Sequence, residues 1–134
     1  MMNPIDIPER FNYIAAFLTL RCSLGCSYCI NHNSKLKRNR DELSAAEWID
    51  SLNRLKTRED LPVTLEGGEP TQYPGFYEVI DGLKPEIRID ILTNLQFDID
   101  EFIKEVDPRR LSKGRKSSYK SIRASFHVEK MNLE

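Results

Sequence analysis

The stretch that decides the fold is residues 13–29, YIAAFLTLRCSLGCSYC, in which an apolar run leads directly into a cysteine loop. The run is short and ends at Arg21, which suits a buried β-strand better than a helix. Cys22, Cys26 and Cys29 are the only three cysteines in the chain. Four thiolates close the coordination of an iron-sulfur cubane, whereas three leave one iron open to a substrate or cofactor. The loop therefore predicts an open iron-sulfur cluster.

Composition narrows the class of protein. The chain has 134 residues, of which 40% are hydrophobic and 31% are charged, as in a globular domain. A formal charge of -1 gives no general attraction to nucleic acid or to anionic membranes, so neither partner is expected. The run at residues 14–20 is too short to span a bilayer and lacks a signal-peptide cleavage site. An odd cysteine count without a secretory signal favours the reducing cytoplasm.

Helical and strand patterns alternate beyond the cysteine loop. Ser44 and Glu47 form a capping box that begins the first helix. Strands are predicted at residues 63–66, 86–94 and 120–127, with a helix at 76–83 and another that begins at Asp98 and ends before Pro108. This order predicts the α/β class, with parallel strands and helices on the outer face.

Candidate functional groups follow each predicted strand. In parallel α/β sheets, ligands bind at the carboxyl ends of the strands, because the loops converge there. We therefore expect four groups of residues to share one face: the cysteine loop, the Gly67-Gly68-Glu69-Pro70 turn, the Thr93-Asn94 pair, and Ser125 with His127.

The third and fourth strands alternate between apolar and polar residues. Arg88, Asp90 and Asn94 share one face of the third strand, and Arg123 and Ser125 share a face of the fourth. One interpretation is a concave surface on which opposite charges pair beneath a bound polar cofactor. The other is an exposed sheet face of no special function.

The cysteine spacing C-x3-C-x2-C, with Tyr28 before the last cysteine, resembles the cluster motif of radical S-adenosylmethionine (SAM) enzymes. The Gly67-Gly68-Glu69-Pro70 turn strengthens the resemblance. It implies a partial (βα)6 TIM-like barrel, of which this chain provides the first four strands. We accordingly expect residues 1–134 to be a radical SAM core domain truncated after strand four.

The resemblance also implies cofactors and partners. Cys22, Cys26 and Cys29 would hold a [4Fe-4S] cluster, whose open iron binds the amino and carboxylate groups of SAM. Further cofactor contacts would come from Gly67, Gly68, Glu69, Pro70, Thr93, Asn94 and Ser125. The glycines and Glu69 would meet the methionyl ammonium, while Asn94 and Ser125 would serve the carboxylate or ribose. Flavodoxin or ferredoxin would supply an electron that cleaves SAM to a 5′-deoxyadenosyl radical, which abstracts hydrogen from a substrate.

Several alternatives remain open at the level of sequence. His32 could complete a zinc site with the cysteines, and a lone C-x-x-C could be a redox pair. The chain could also be a non-catalytic iron-sulfur or zinc-binding module, or a half-barrel completed by a second chain at the edge of strand four. The basic residues within 109–120 could contact RNA phosphates, although a solvated loop explains them better. His127 is more typical of a hydrogen-bonded structural histidine than of a catalyst.

Overall fold

The computed structural model describes residues 3–29, 41–111 and 120–132. Its strands and helices alternate along the chain: β1 (Ile14–Thr19), α1 (Ala45–Leu52), β2 (Val63–Gly67), α2 (Phe76–Gly82), β3 (Ile89–Thr93), α3 (Ile99–Glu105) and β4 (Ile122–Ala124). Short 3-10 turns at Pro70–Gln72 and Pro108–Arg110 follow β2 and α3. The predicted capping box is present, and Asp98 is the N-cap of α3.

The four strands form one parallel sheet in the order β1-β2-β3-β4. Ala15 of β1 lies beside Thr64 of β2, which lies beside Asp90 of β3. Ile91 of β3 pairs with Ile122 of β4. Sequential parallel strands joined through helices confirm the predicted α/β class and the first four strands of a partial TIM-like barrel.

Two strands are shorter than the sequence predicts. The third was expected at residues 86–94 and occupies Ile89–Thr93, and the fourth was expected at 120–127 and occupies Ile122–Ala124. Pairing sets both lengths, because β3 pairs with β2 over residues 89–91 and with β4 over residues 91–93, and β4 pairs with β3 over three residues only. Residues 125–127 continue as irregular chain at the end of the sheet. Pairing of a second chain with the other edge of β4 stays a prediction.

One hydrophobic core lies between the sheet and its helices. Leu18, Leu65 and Ile91 from the strands pack in one cluster with Phe76 and Val79 of α2. On the same sheet face, Ile122 of β4 is 40% exposed, so among the described residues the helical layer covers β4 less completely than its neighbours. No helix in the described ranges is long and apolar enough to cross a membrane.

The polar face of the sheet carries a partly buried ion pair. Arg123 donates from its guanidinium to Asp90 at 2.8 Å and to Thr64 at 3.1 Å, and Asp90 is fully buried. Burial raises the pKa of Asp90, and the pairing with Arg123 opposes that effect. Arg123 also lies over the ring of Tyr13, 5.6 Å from its centroid. Opposite charges therefore pair on this face, as one of the two interpretations expected, whereas their place beneath a bound cofactor stays a prediction.

Candidate cofactor site

A cavity of about 260 Å³ opens at the carboxyl ends of the strands. All the residues predicted to bind the cluster or the cofactor line it, except Pro70: Cys22, Cys26, Cys29, Gly67, Gly68, Glu69, Thr93, Asn94 and Ser125. Pro70 is buried in the protein interior. Leu20, Gly25, Tyr28, Glu66, Leu92 and His127 complete the lining. The topology therefore brings the groups that follow all four strands to one place.

The cysteine loop presents its three thiols to this cavity with different exposure. Cys22 is exposed, Cys29 is half-buried and Cys26 is buried, and none of them forms a disulfide. A turn in which the Cys29 amide donates to the Cys26 carbonyl at 3.1 Å closes the end of the loop. Gly25 has a φ of +60°, a conformation that glycine adopts without strain.

Gly67 and Gly68 allow the end of β2 to touch the end of β1. A β-carbon on Gly68 would lie 2.2 Å from the carbonyl oxygen of Arg21, and one on Gly67 would lie 2.1 Å from that of Thr19. This close approach allows two backbone hydrogen bonds of 2.7 Å. The Gly68 amide donates to the Thr19 carbonyl, and the Glu69 amide donates to the Arg21 carbonyl. The glycine pair therefore anchors the start of the cysteine loop to β2.

The side chain of Glu69 connects the turn after β2 to the end of β3. Its Oε1 accepts from the hydroxyls of Thr93 at 2.6 Å and Thr71 at 2.7 Å, and also from the Thr71 amide at 3.4 Å. Its Oε2 accepts from the Asn94 amide at 2.7 Å. Three of these described donors share Oε1 and one reaches Oε2, so Oε2 can accept a further hydrogen bond. Glu69 is 1% exposed, and its described hydrogen-bond partners are all neutral donors.

Asn94 links the end of β3 to the cysteine loop. Its side-chain amide donates to the Sγ of Cys22 over 3.7 Å, and its Oδ1 accepts from the Gln96 amide at 2.9 Å. Asn94 is 4% exposed and therefore well fixed. Through this residue and Glu69, the ends of β1, β2 and β3 form one hydrogen-bonded unit.

The chain after β4 holds the other side of the cysteine loop. His127 Nδ1 is hydrogen-bonded to the Tyr28 hydroxyl at 2.9 Å, and the two rings are stacked with centroids 6.0 Å apart. Glu129 Oε2 accepts from both the amide and the hydroxyl of Ser27, at 3.1 and 2.9 Å. Nothing in the sequence around Glu129 signals this contact, which joins residues 102 positions apart.

The charge of the cavity wall is negative. Glu66 and Glu69 are the acidic residues among the described lining, and no lysine or arginine is present there. Glu66 accepts a hydrogen bond from the Tyr13 hydroxyl at 2.6 Å. Burial, followed by this bond, raises the pKa of Tyr13, so the phenol stays protonated and continues to donate. The cavity therefore favours a ligand that carries positive charge.

The donor set fits an iron-sulfur cluster. Thiolates are the usual ligands of such clusters, and the three free cysteines converge on one cavity. Across the described ranges, no group of three histidine, cysteine or acidic side chains is gathered tightly enough for a single metal ion. A cubane does not need such a group, because each thiolate binds a different iron. His32, the proposed fourth zinc ligand, lies outside the described residues.

The sequence profile of the radical SAM superfamily matches residues 17–117. The match covers most of the chain, including the end of β1, the cysteine loop and the Gly67-Gly68-Glu69-Pro70 turn. This chain therefore belongs to the radical SAM superfamily.

Among curated proteins, the chain is similar to the mycofactocin maturase MftC of Mycobacterium ulcerans, with 36% identity over 64 residues, 48% of this chain and 17% of that protein. It is 36% identical over 77 residues to the PqqA peptide cyclase of Methylorubrum extorquens, covering 58% of this chain and 20% of the relative. It is also 32% identical over 77 residues to a probable GTP 3′,8-cyclase of Methanopyrus kandleri, covering 58% and 24%. The matched region thus spans a quarter or less of these relatives. No solved structure matches the chain significantly.

Proposed function

We infer that this chain is a radical SAM enzyme, or the N-terminal portion of one. In this proposal, Cys22, Cys26 and Cys29 hold a [4Fe-4S] cluster and the cavity beside them binds SAM. The observation that carries it is the shared cavity, because the cysteines and the residues predicted to contact SAM line the same 260 Å³ space. When bound and reduced, such a cluster supplies the electron that cleaves SAM to methionine and a 5′-deoxyadenosyl radical, which abstracts hydrogen from a substrate.

The cavity wall suits SAM in charge. SAM carries a positive sulfonium and a positive ammonium, and Glu66 and Glu69 supply negative charge without a competing lysine or arginine in the described lining. Gly67 and Gly68 both line the cavity, and their backbone carbonyls are the acceptors proposed for the ammonium. Asn94 and Ser125 offer polar groups for the carboxylate or the ribose.

An electron donor such as flavodoxin or ferredoxin can approach the cysteine loop from solvent. Cys22 is exposed, and the neighbouring Tyr28 is 60% exposed. A protein donor must bring its own redox centre close to the cluster, and an open loop permits this. The free cysteines are also consistent with a cytoplasmic location.

The decisive experiment is anaerobic reconstitution with iron and sulfide, followed by reduction and addition of SAM. We expect cluster absorbance and 5′-deoxyadenosine, measured by liquid chromatography and mass spectrometry. Cys26→Ala should abolish both, whereas Ser23→Ala should retain both, because Ser23 lies in the same loop but does not line the cavity.

The other outcomes separate the alternatives. A cluster without 5′-deoxyadenosine, even with excess SAM, would contradict autonomous catalysis and favour a binding module or a partner-dependent half-barrel. Zinc without iron after native purification, retained by all three thiols, would contradict the cluster itself.

A further inference from the structure

We propose that Glu129 is a positioning residue for the cysteine loop. It fixes the loop before any cluster binds, and its charge lowers the reduction potential of the bound cluster. The proposal rests on the proposed function. Glu129 lies outside the cysteine motif, the glycine-rich turn and the residues that directly follow the strands.

The hydrogen bonds between Glu129 and Ser27 support the positioning role. A single oxygen, Oε2, accepts from both the backbone amide and the hydroxyl of Ser27. Ser27 lies between Cys26 and Cys29, so this contact acts at the centre of the motif. An amide that donates to a carboxylate forms a charge-assisted hydrogen bond, which is stronger than a bond between neutral groups.

Different contacts hold the two halves of the cysteine loop. Two hydrogen bonds already hold the start of the loop. The Glu69 backbone amide donates to the Arg21 carbonyl, and the Asn94 side-chain amide donates to the Cys22 Sγ. The second half of the loop, from Ser27 to Cys29, receives side-chain contacts from the segment after β4, where His127 stacks on Tyr28 and Glu129 binds Ser27. His127 is itself fixed by its amide, which donates to the Met131 Sδ at 3.3 Å. Fixing the loop in advance reduces the conformational entropy that cluster binding must remove.

The charge of Glu129 supports an effect on the reduction potential of the cluster. The reduction potential of an iron-sulfur cluster depends on the net charge around it and on hydrogen bonding. The Glu129 carboxylate, bound to the residue after Cys26, adds negative charge beside the loop, which favours the oxidised form of a cluster. The Lys130 ammonium, 3.9 Å from the other carboxylate oxygen, offsets part of that charge. Glu129 should therefore lower the potential relative to a neutral residue of the same shape.

The test uses three variants of the full chain: Glu129→Ala, Glu129→Gln and, as the control, Glu86→Ala, an exposed acid remote from the loop. The first readout needs no metal. Cys26 is 4% exposed, so its alkylation by iodoacetamide in the apo protein reports opening of the loop. We expect Glu129→Ala to accelerate it roughly threefold to tenfold, the effect of losing a typical hydrogen bond. Glu129→Gln, whose amide oxygen can still accept from Ser27, should stay within about twofold of wild type.

The second readout is the potential of the reconstituted cluster, measured by redox titration with electron paramagnetic resonance detection. Glu129→Gln should shift it to a more positive value, while Glu86→Ala should leave it unchanged. Equal alkylation rates for wild type and Glu129→Ala would overturn the positioning role, and an unshifted potential in Glu129→Gln would overturn the tuning role. If wild type forms no cluster, the proposed function fails, and the alkylation rates still decide whether Glu129 fixes the loop.

Discussion

The carboxylate of Glu69 carries a buried negative charge that neutral donors hold in place. Two threonine hydroxyls and two backbone amides approach its oxygens, and its residue is 1% exposed. Hydrogen bonds to the ionised form stabilise a buried carboxylate. Its predicted contact with the SAM ammonium stays a prediction, in which Glu69 acts through its charge while its hydrogen bonds hold the ends of β2 and β3 together.

Replacing Glu69 with glutamine should destabilise the protein by about 2 kcal/mol, because the new NH2 group must face a donor at one of the two oxygen positions. Urea unfolding followed by circular dichroism measures the loss. The control is Glu101→Gln, since Glu101 is exposed on α3 and should tolerate the change. A Glu69→Gln variant with wild-type stability would mean that the observed donors do not depend on the carboxylate.

At the scale of elements, Glu42 connects the end of β1 to the chain that enters α1. Its Oε1 accepts from the Thr19 hydroxyl at 2.5 Å and from Arg21 Nε at 2.7 Å. The hydrogen bond from Arg21 is the main cause that holds the pKa of Glu42 below its usual range, and partial burial opposes it. A lowered pKa in the folded state means that the ionised form stabilises the fold.

This lowered pKa predicts a specific pH dependence. The contribution of Glu42 should be complete above its unfolded pKa of about 4.3 and should be lost as the pH falls through the lower folded value. Glu42→Gln should therefore be less stable than wild type at pH values near neutrality, and the gap should close in acid. Urea midpoints measured across this range test the prediction, with Glu78→Gln as a control without these contacts. A gap that persists unchanged below the folded pKa would exclude the charge as its cause.

The elements themselves were largely predictable from local patterns. Ser44 and Glu47 marked the start of α1, and Asp98 marked the start of α3, because capping depends on residues close in sequence. The sequence predicted longer β3 and β4 strands than the structure has. Strand length depends on a partner strand, and β4 pairs with only residues 91–93 of β3, a fact that its own alternating sequence does not contain.

At the scale of the whole molecule, parallel topology made most of the candidate site predictable. Once the strands are parallel, their carboxyl ends meet, and Cys26, Gly68, Thr93 and Ser125 arrive at one cavity. The supports of the cysteine loop were not predictable. The contact of Glu129 with Ser27 spans 102 positions and depends on the path of the chain after β4. Local propensity and spacing carry no information about such a contact.

The site should also unfold together with the core, because one sheet carries all its strand ends. Phe76 of α2 is 1% exposed and packs against Tyr77 and Phe102, away from the cavity lining. Phe76→Ala should lower the free energy of unfolding by about 3–5 kcal/mol, a large part of the 5–15 kcal/mol typical of a domain. Ile103→Ala, at a side chain that is 69% exposed, should change it by less than about 0.5 kcal/mol.

Two probes of the Phe76→Ala variant test whether core and site unfold as one unit. In urea, loss of helical circular dichroism and exposure of Cys26 to iodoacetamide should share one midpoint, moved to lower urea by the same amount relative to wild type. Cys26 lines the cavity and does not belong to the core cluster that contains Phe76, so a shared shift would arise through the common fold. If Cys26 becomes reactive well before the helices are lost, the cysteine loop opens independently of the core, and local contacts such as those at Asn94 and Glu129 determine its stability.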